Sequence, residues 1–235
     1  MDVVFEDDLL KVTFEPGSSG LAVISFTGVS FGSIGVGEFK STLARSGLDN
    51  DIYYVFDKQR KWYNGPHAET LVTVLNGAIA ARGSEAVFTL GNSMGGTGAL
   101  AFAGEIERCV RALSFCAQTS INPGVAPFEV RWADYRRGIE QWTMPDALPR
   151  VSRDREYYVF YGADNALDMQ HAARVVALNE ANIHVFVVPE CGHDVASKLK
   201  KLGFLRPVTK MLMRPIAPSL DELLATMPGV GLLRT

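Results

Sequence analysis

Almost wholly apolar runs of four to six residues recur along the chain, and most of them are separated by enough residues for a helix. These runs are Leu21–Phe26, Asp51–Phe56, Ala86–Leu90, Ala112–Phe115, Tyr157–Tyr161 and Ile183–Val188. Strands of a parallel sheet are covered on both faces and show this continuous apolar pattern, whereas strands with one wet face alternate. The runs therefore predict the strands of a mainly parallel sheet.

Segments with helical periodicity lie between several of these runs. Ala68–Arg82 places five apolar side chains on one helix face and is followed by Gly83, which predicts the end of that helix. Leu167–Glu180 and Val195–Leu202 predict two further helices. Because strands that alternate with helices fold into a sheet with helices on both faces, the expected fold class is α/β.

Two segments depart from this alternation. Val3–Phe5 and Leu10–Phe14 are β-prone runs separated by acidic residues, which predicts an antiparallel hairpin at one edge of the sheet. From 118 to 155 the chain carries four prolines and no obvious strand. A connection this long is usually functional or separately structured. We interpret it as a small lid inserted into a single domain of residues 1–235, with an ordinary surface excursion as the alternative.

The charge balance and the cysteine count narrow the class of protein. With 23 basic and 26 acidic residues the formal net charge is −3, without the basic excess typical of nucleic-acid-binding proteins. Cys109, Cys116 and Cys191 are an odd number without CxxC spacing, which argues against a disulfide framework and a zinc site. The acidic N-terminus lacks signal-peptide order, and no apolar run approaches the ~20 residues of a membrane span. We expect a cytoplasmic protein that does not bind nucleic acid and does not span a membrane.

The candidate chemistry begins at a glycine-rich turn. Gly91, Ser93 and Gly95 form a G-x-S-x-G pattern after a predicted strand and before a segment rich in Ala and Gly. A sharp strand-to-helix turn of this kind lifts a serine hydroxyl above the sheet edge. The N-terminus of the following helix offers N–H donors and partial positive charge to an anion. Ser93 is therefore the predicted nucleophile.

A serine nucleophile needs a general base within hydrogen-bond reach, and the chain has four histidines. His184 lies inside a predicted strand and His171 on a helix among alanines, so packing roles are expected for both. His67 opens a predicted helix and is expected to cap it or to line a pocket. His193 follows the last apolar run, at the edge where open α/β sheets bind ligands. His193 is therefore the predicted base.

The base in turn needs a carboxylate that fixes its tautomer. Asp164 lies in the loop after the preceding strand run and can reach the same sheet edge. Asp168, at the start of the following helix, suits the positive end of the helix dipole. We therefore expect Asp164 to orient His193, with Asp168 as the alternative. The order Ser93, Asp164, His193 is the chain order that this kind of turn predicts.

An acyl-transfer site also needs two N–H donors that hold the developing oxyanion. The residue after the nucleophile, Met94, is expected to supply one from its backbone. The second is expected from the loop after the strand run 21–26. Val29 is our choice there, with Gly28 and Ser30 as alternatives.

These residues together resemble the α/β-hydrolase superfamily. The resemblance is carried by Gly91-Asn-Ser-Met-Gly-Gly96, Gly162-Ala-Asp164 and Gly192-His193, each after a predicted strand, and it extends over nearly the whole chain. It implies the α/β-hydrolase fold and a Ser-His-Asp hydrolase that needs neither a metal ion nor an organic cofactor. Thr27-Gly28 stands where many relatives carry His-Gly, which leaves the second oxyanion donor open.

A second resemblance concerns the substrate. Phe26-Thr-Gly28, the Gly-rich segment 31–37 and Trp62-Tyr-Asn-Gly65 look like bacterial hydrolase-like proteins associated with polysaccharide or glycoprotein modification. The resemblance implies a carbohydrate-linked acyl substrate. A small-molecule acyl substrate is the alternative. Trp62 and Tyr63 follow a predicted strand, so we expect their rings near the site, where they suit sugars, acyl chains or a pocket wall.

Arginines in the insertion offer another candidate contact. Arg131, Arg136 and Arg137 have the geometry to clamp a carboxylate or phosphate. Arginines on an insertion are also typical of a solvated, charged surface, and this second interpretation is the one we favour.

The expected function is hydrolysis of a carboxylic ester or thioester through an acyl-enzyme on Ser93. Transfer of the acyl group to a sugar or an amine would use the same residues. A binding protein on a hydrolase fold is a third hypothesis, because a fold does not dictate function. The complete set of triad residue types in the expected order argues against this third hypothesis.

Overall fold

Nine strands form one sheet in the part of the chain that the computed structural model describes, residues 1–30 and 36–233. The strands are β1 (Asp2–Glu6), β2 (Leu10–Glu15), β3 (Leu21–Phe26), β4 (Asp51–Asp57), β5 (Ala86–Asn92), β6 (Cys109–Phe115), β7 (Glu156–Gly162), β8 (Ile183–Val188) and β9 (Gly231–Leu233). Their spatial order is β1-β2-β4-β3-β5-β6-β7-β8-β9. The helices are α1 (Lys40–Ala44), α2 (His67–Arg82), α3 (Met94–Phe102), α4 (Ala133–Arg136), α5 (Ala166–Val176), α6 (Val195–Lys201), α7 (Leu205–Leu212) and α8 (Leu220–Thr226).

The six neighbouring strands from β4 to β8 all pair in parallel. β1 and β2 form an antiparallel hairpin, and β2 also pairs antiparallel with β4. The predicted mainly parallel sheet with an N-terminal hairpin is therefore confirmed. β9 pairs antiparallel with β8 and was not predicted, because three residues are too few to show a strand periodicity.

Helices cover the sheet on both faces, as the alternation predicted. One buried cluster holds side chains of α2, α3 and α5, and a second holds side chains of α1, α6, α7 and α8. Successive residues of β3 join different clusters, Val23 the second and Ile24 the first, because side chains alternate along a strand. Both faces are dry, which explains why the strand runs are continuously apolar. Within the described residues, no helix combines the length and apolar character that crossing a membrane requires.

The parallel strands end at one edge of the sheet, so the loops that follow them meet there. Phe26 pairs with Gly91, and Phe115 pairs with Phe160, which puts the ends of β3, β5, β6 and β7 level with one another. Open α/β sheets bind ligands at this edge. The segments that follow β5, β7 and β8 carry the residues discussed below as candidates for a triad.

The insertion 118–155 contains little regular structure, namely the four-residue α4 and a short 3₁₀ turn at Leu148–Arg150. Several of its apolar side chains, among them Ile139, Met144 and Leu148, are buried in the cluster that also holds α2, α3 and α5. The insertion thus packs on one face of the sheet domain. Its interpretation as a lid within one domain of residues 1–235 stays a prediction.

Candidate active site

Ser93 stands at the sharp turn between β5 and α3. Its backbone has φ 55° and ψ −121°, a conformation that a residue with a side chain rarely adopts. A Cβ atom on Gly91 would lie 2.0 Å from the carbonyl oxygen of Gly95, and one on Gly95 would lie 2.2 Å from that of Phe26. The glycines are required because main chain passes this close beside the serine. The predicted strand-turn-helix context of Ser93 is confirmed.

His193 lies in the loop after β8, within hydrogen-bond distance of Ser93. The two atoms that meet are Ser93 Oγ and His193 Nε2, 2.9 Å apart. This loop runs against the end of β7, where a Cβ atom on Gly162 would lie 2.0 Å from the carbonyl oxygen of Gly192. The close approach of the two loops fixes the height of the imidazole above the sheet. The structure thus brings the predicted nucleophile and the predicted base together.

The carboxylate that meets His193 belongs to Asp168, which corrects the expectation of Asp164. His193 Nδ1 and Asp168 Oδ2 are 2.7 Å apart, and Asp168 is fully buried. Asp164 is exposed in the turn after β7, where its backbone N–H donates to the carbonyl oxygen of Cys191. The side chain of Asn165 then caps α5 by accepting the N–H groups of Leu167 and Asp168. Asp168 therefore sits in the first turn of the helix, on its inward face.

The hydrogen bonds define the protonation pattern of the imidazole. A carboxylate can only accept, so the short contact with Asp168 places the proton of His193 on Nδ1. Nε2 then has a free lone pair that accepts the hydroxyl proton of Ser93. This arrangement is the one in which a serine is activated by a neutral histidine.

Two backbone N–H groups were expected to hold an oxyanion beside Ser93. Met94 is the first residue of α3, so its N–H has no acceptor within the helix. Val29 and Ser30 line the same cavity as Ser93. The N–H of Gly28 instead donates to Glu38 Oε2 at 2.8 Å, so it is occupied. The oxyanion roles of Met94 and Val29 stay predictions.

Glu38 is a buried acid in the cavity wall, and no sequence pattern singled it out. Burial raises its pKa to about 7, although hydrogen bonds from Gly28 and Asn92 oppose the rise. Near neutral pH the carboxyl group is thus divided between its neutral and charged forms. In both forms it accepts the N–H of Gly28 and so fixes the loop that carries Val29.

Trp62 and Tyr63 are buried scaffolding, which corrects the expectation that their rings contact substrate. Both side chains are essentially inaccessible to solvent. The Tyr63 hydroxyl donates to the carbonyl oxygen of Thr27 at 3.0 Å, next to the loop that carries the predicted oxyanion donor Val29. The indole N–H of Trp62 donates to Gln118 Oε1 at 2.9 Å. Through these two hydrogen bonds, the buried rings support residues that lie beside the candidate site.

Gln118 connects the indole of Trp62 to the candidate site by hydrogen bonds. Its amide nitrogen lies 3.3 Å from both Ser93 Oγ and His193 Nε2. Thr97 Oγ1 holds the main chain at the same point by donating to the carbonyl oxygen of Gln118 at 2.7 Å. Gln118 follows β6 at the same sheet edge as Ser93, and that position is the sequence signal that could have identified it.

A cavity of about 930 Å³ opens beside Ser93 and His193. Its apolar wall includes Val29, Val36, Phe39, Trp132 and Leu205, and its basic groups are Lys40, Arg45 and Lys200. Of the Gly-rich segment 31–37, residues 31–35 lie outside the described part of the chain. The volume is in the range of sites for drug-sized ligands, so the space exceeds what an acetyl group alone would fill.

The arginines of the insertion do not share one role. Arg131 is largely buried and donates to the carboxylates of Asp168 and Glu129, which corrects the interpretation of Arg131 as part of a solvated surface. Arg136 donates to the carbonyl oxygen of Glu129 at 2.8 Å. Arg137 is exposed and pairs with Asp134 on the surface.

The remaining histidines have packing or network positions. His184 packs against Tyr158, with ring centroids 4.9 Å apart and the ring planes tilted by 49°. His171 is fully buried and bonds to Glu129, where the sequence predicted only packing. His67 is buried at the start of α2.

A free cysteine also lies near the triad. The Cys116 thiol, Asp168 and His193 place potential ligand atoms within 4.8 Å of one another. Burial raises the pKa of Cys116 well above its ordinary value, so the thiol keeps its proton. Asp168 Oδ2 and His193 Nδ1 are hydrogen-bonded to each other at 2.7 Å, so both groups are already engaged within the candidate triad.

Comparisons with known proteins identify the fold. No protein-family model matches the chain, and no curated protein sequence matches it either. Among solved structures it is similar to the capsule O-acetyltransferase of Neisseria meningitidis serogroup A, with 14% identity over 86% of this chain and 93% of that one and a TM-score of 0.61. It is also similar to the carboxylesterase EstE1 from a metagenomic library, with 12% identity over 88% and 85% of the chains and a TM-score of 0.60. The fluorophosphonate-binding serine hydrolase FphF of Staphylococcus aureus matches with 11% identity over 86% and 91% and a TM-score of 0.59.

These structures share the α/β-hydrolase fold, and the chain has that fold as well. At 11–14% identity the likeness shows the fold alone. The substrate and the reaction have to be argued from the residues at the sheet edge.

Proposed function

We propose that the protein is a serine hydrolase that cleaves a carboxylic ester or thioester through an acyl-enzyme. The observation that carries the proposal is one continuous line of hydrogen bonds at the strand-to-helix turn. Ser93 Oγ meets His193 Nε2 at 2.9 Å, and His193 Nδ1 meets Asp168 Oδ2 at 2.7 Å. A nucleophile, a base and an orienting acid in these contacts form the arrangement that activates a serine hydroxyl.

In the first half-reaction, Ser93 Oγ attacks the carbonyl carbon of the substrate. The hydroxyl proton moves to His193 Nε2, and buried Asp168 stabilises the imidazolium that forms. The carbonyl oxygen becomes negatively charged and is held by the N–H groups of Met94 and Val29. When the tetrahedral intermediate collapses, the bond to the alcohol or thiol breaks, and His193 returns the proton to that leaving group.

In the second half-reaction, water attacks the acyl group on Ser93. His193 takes a proton from the water, and the same backbone donors hold the second oxyanion. Collapse of this intermediate breaks the ester to Ser93, and the serine recovers its proton from His193. The products are a carboxylic acid and the free enzyme.

Transfer of the acyl group to a hydroxyl or amine other than water is the second candidate function. The cavity of about 930 Å³ leaves room for an acceptor beside an acyl-enzyme. One of the similar structures is a capsule O-acetyltransferase, so the fold accommodates transfer of an acetyl group to oxygen. The two functions share every step up to the acyl-enzyme and differ only in the nucleophile that attacks it.

The first experiment is labelling with a fluorophosphonate probe, with the adduct mapped by mass spectrometry. Labelling at Ser93 in the wild-type protein, lost in Ser93→Ala and strongly slowed in His193→Ala, would support the proposal. Asp168→Asn and Asp164→Asn form a matched pair, and only the first is expected to slow labelling. A correctly folded wild-type protein that is not labelled would contradict the proposal and favour a binding protein.

Hydrolysis and transfer are then distinguished by the products. The protein is incubated with 4-nitrophenyl acetate in the presence and absence of a saturating sugar acceptor. Hydrolysis gives acetate in an amount equal to the nitrophenol released. A deficit of acetate that is matched by acetylated sugar would assign the protein to acyl transfer instead.

A further inference from the structure

Arg131 belongs to the insertion, but its guanidinium group reaches the buried acid of the candidate triad. Arg131 Nη1 lies 2.8 Å from Asp168 Oδ1. The other oxygen of the same carboxylate, Oδ2, lies 2.7 Å from His193 Nδ1. One oxygen of Asp168 thus contacts Arg131 of the insertion, and the other contacts His193. A rotation of the carboxylate would break both contacts.

A second buried carboxylate holds the guanidinium in place. Glu129 Oε1 accepts from Arg131 Nε at 3.0 Å, and Oε2 accepts from Nη2 at 2.5 Å. Glu129 is fully buried, and a paired fork of this kind fixes the guanidinium plane. Burial would raise the pKa of Glu129, but hydrogen bonds from His171 and Arg131 lower it to about 2. The carboxylate is therefore charged at every pH at which the protein would work.

Glu129 is anchored on its far side by His171 of α5. His171 Nε2 lies 3.0 Å from Glu129 Oε2, and its Nδ1 accepts the N–H of Thr119 at 3.2 Å. Burial lowers the pKa of His171, so the ring is neutral and donates from Nε2. Glu129 thus cannot turn away from Arg131 without losing this bond.

We propose that Arg131 is a positioning residue of the catalytic site, which links the insertion to the orientation and the protonation of His193. The inference rests on the proposed function. Two consequences follow from the geometry. The guanidinium holds the Asp168 carboxylate in the orientation in which it accepts from His193, and its positive charge opposes a second positive charge on the imidazole.

The second consequence follows from the contact between the guanidinium group of Arg131 and the imidazole of His193. Arg131 Nη1 lies 3.3 Å from His193 Nδ1, and both atoms carry hydrogen, so this contact is not a hydrogen bond. Protonation of Nε2 would place an imidazolium against the guanidinium. Arg131 therefore favours the neutral imidazole, which is the form that accepts the Ser93 proton. Its removal is expected to move the acid side of the pH–activity profile to higher pH.

Other groups that face His193 do not supply this effect. Asp168 of α5 is the negative partner, and Cys116 after β6 keeps its proton because burial raises the pKa of its thiol. Gln118 is uncharged. Asp194, next in the chain, is exposed to solvent, which screens its charge. Arg131 is thus the cationic group in direct contact with the imidazole.

The test measures kcat/KM against pH for 4-nitrophenyl acetate with the wild type, Arg131→Met, Arg131→Lys and the double variant Arg131→Met/Glu129→Gln. Thermal unfolding of each variant is recorded in parallel. Arg131→Met is expected to raise the acid-side midpoint by about one pH unit and to lower kcat/KM at pH 6 by roughly tenfold. Arg131→Lys keeps the charge and is expected to retain most of the wild-type midpoint.

The double variant separates positioning from structural stabilisation. It removes Arg131 together with the charge of Glu129, so no unpaired carboxylate is left at that position. We expect it to recover the melting temperature lost in Arg131→Met while the raised midpoint persists. If the double variant restores both quantities, Arg131 only balances Glu129, and the inference is wrong.

Failure of this inference is distinguishable from failure of the proposed function. A wild-type protein without esterase activity or probe labelling contradicts the proposed function. An active wild type together with an Arg131→Met variant whose midpoint is unchanged, and whose kcat/KM stays within about twofold, contradicts the role of Arg131 alone.

Discussion

The backbone N–H of Gly28 donates to the buried carboxyl group of Glu38 across the mouth of the candidate oxyanion loop, at a distance of 2.8 Å. A Cβ atom on Gly28 would lie 3.0 Å from the carbonyl oxygen of Asn92, so the loop is also tight against the end of β5. Glu38 therefore fixes the loop from one side and β5 from the other. The position of Val29 relative to Ser93 depends on both contacts.

Glu38 makes stability depend on pH in a direction that can be tested. Its pKa is about 7 in the folded protein, against 4.5 for an ordinary glutamate, because burial disfavours the charged form. The folded state thus binds the proton more tightly than the unfolded state, and stability falls as pH rises from 4.5 to 7. The difference corresponds to about 3 kcal/mol.

The measurement is the free energy of unfolding at several pH values for the wild type and for Glu38→Gln. Glutamine still offers an oxygen to the N–H of Gly28 but does not titrate. The stability of the variant relative to the wild type is expected to increase as pH rises through this window. A difference that is constant with pH would show that the carboxyl group of Glu38 has an ordinary proton affinity.

The sheet was predictable because strands that are buried on both faces have continuously apolar sequences. The runs Leu21–Phe26 and Ile183–Val188 coincide with β3 and β8 residue for residue. β9 at the sheet edge was missed because its three residues are too few to show a strand periodicity. The turn at Ser93 was predictable because its glycines are required by close backbone contacts.

The acid of the candidate triad was not predictable to the residue, since two aspartates lie within the six positions that follow β7. The choice between Asp164 and Asp168 depends on where α5 begins, and helix ends are the least certain feature of a sequence pattern. The available signal was Asn165, a strong N-cap residue three positions before Asp168. It puts Asp168 in the first turn of α5, but not on a particular face.

Arg131 was not predictable, because its partners come from different segments of the chain. Asp168 lies 37 residues away, and the pairing depends on how the insertion folds over the sheet edge. An arginine on an insertion is usually solvated. Only the buried positions of Glu129 and Asp168 show that this one is held inside.

Asp168→Asn is expected to lower kcat by about four orders of magnitude while the fold is retained. An amide at this position can present its N–H₂ group to His193 Nδ1, which stabilises the tautomer that cannot accept the serine proton. The measurement is kcat for 4-nitrophenyl acetate, with the melting temperature as the check on folding. Asp164→Asn is the matched control, and it should stay within about twofold of the wild type. The opposite result would return the role to Asp164.

Lys200 is expected to favour esters that carry a negative charge away from the scissile bond. Lys200 belongs to α6 and lines the cavity. Its neighbour Lys201 is exposed and is not one of the described residues that line the cavity. Lys200→Gln should raise KM for 4-nitrophenyl hydrogen glutarate about threefold and leave KM for the uncharged 4-nitrophenyl butyrate unchanged. Lys201→Gln should change neither, and the effect should shrink in high salt. Equal changes in KM for both esters would show that Lys200 does not recognise charge.

Two glycine-to-alanine substitutions are expected to change stability in opposite directions. At Gly95 the added methyl group would lie 2.2 Å from the carbonyl oxygen of Phe26. Because this oxygen belongs to the backbone of the central strand β3, it cannot move away without disturbing the sheet. Gly95→Ala should therefore destabilise the fold by about 2–3 kcal/mol. Gly77 is exposed in the middle of α2, and outside the backbone of its own helix no described atom lies within 4 Å of the new methyl group, so Gly77→Ala should stabilise the fold by about 0.5–1 kcal/mol. Urea unfolding measures both, and a Gly95→Ala variant as stable as the wild type would contradict the tight packing of the turn at Ser93.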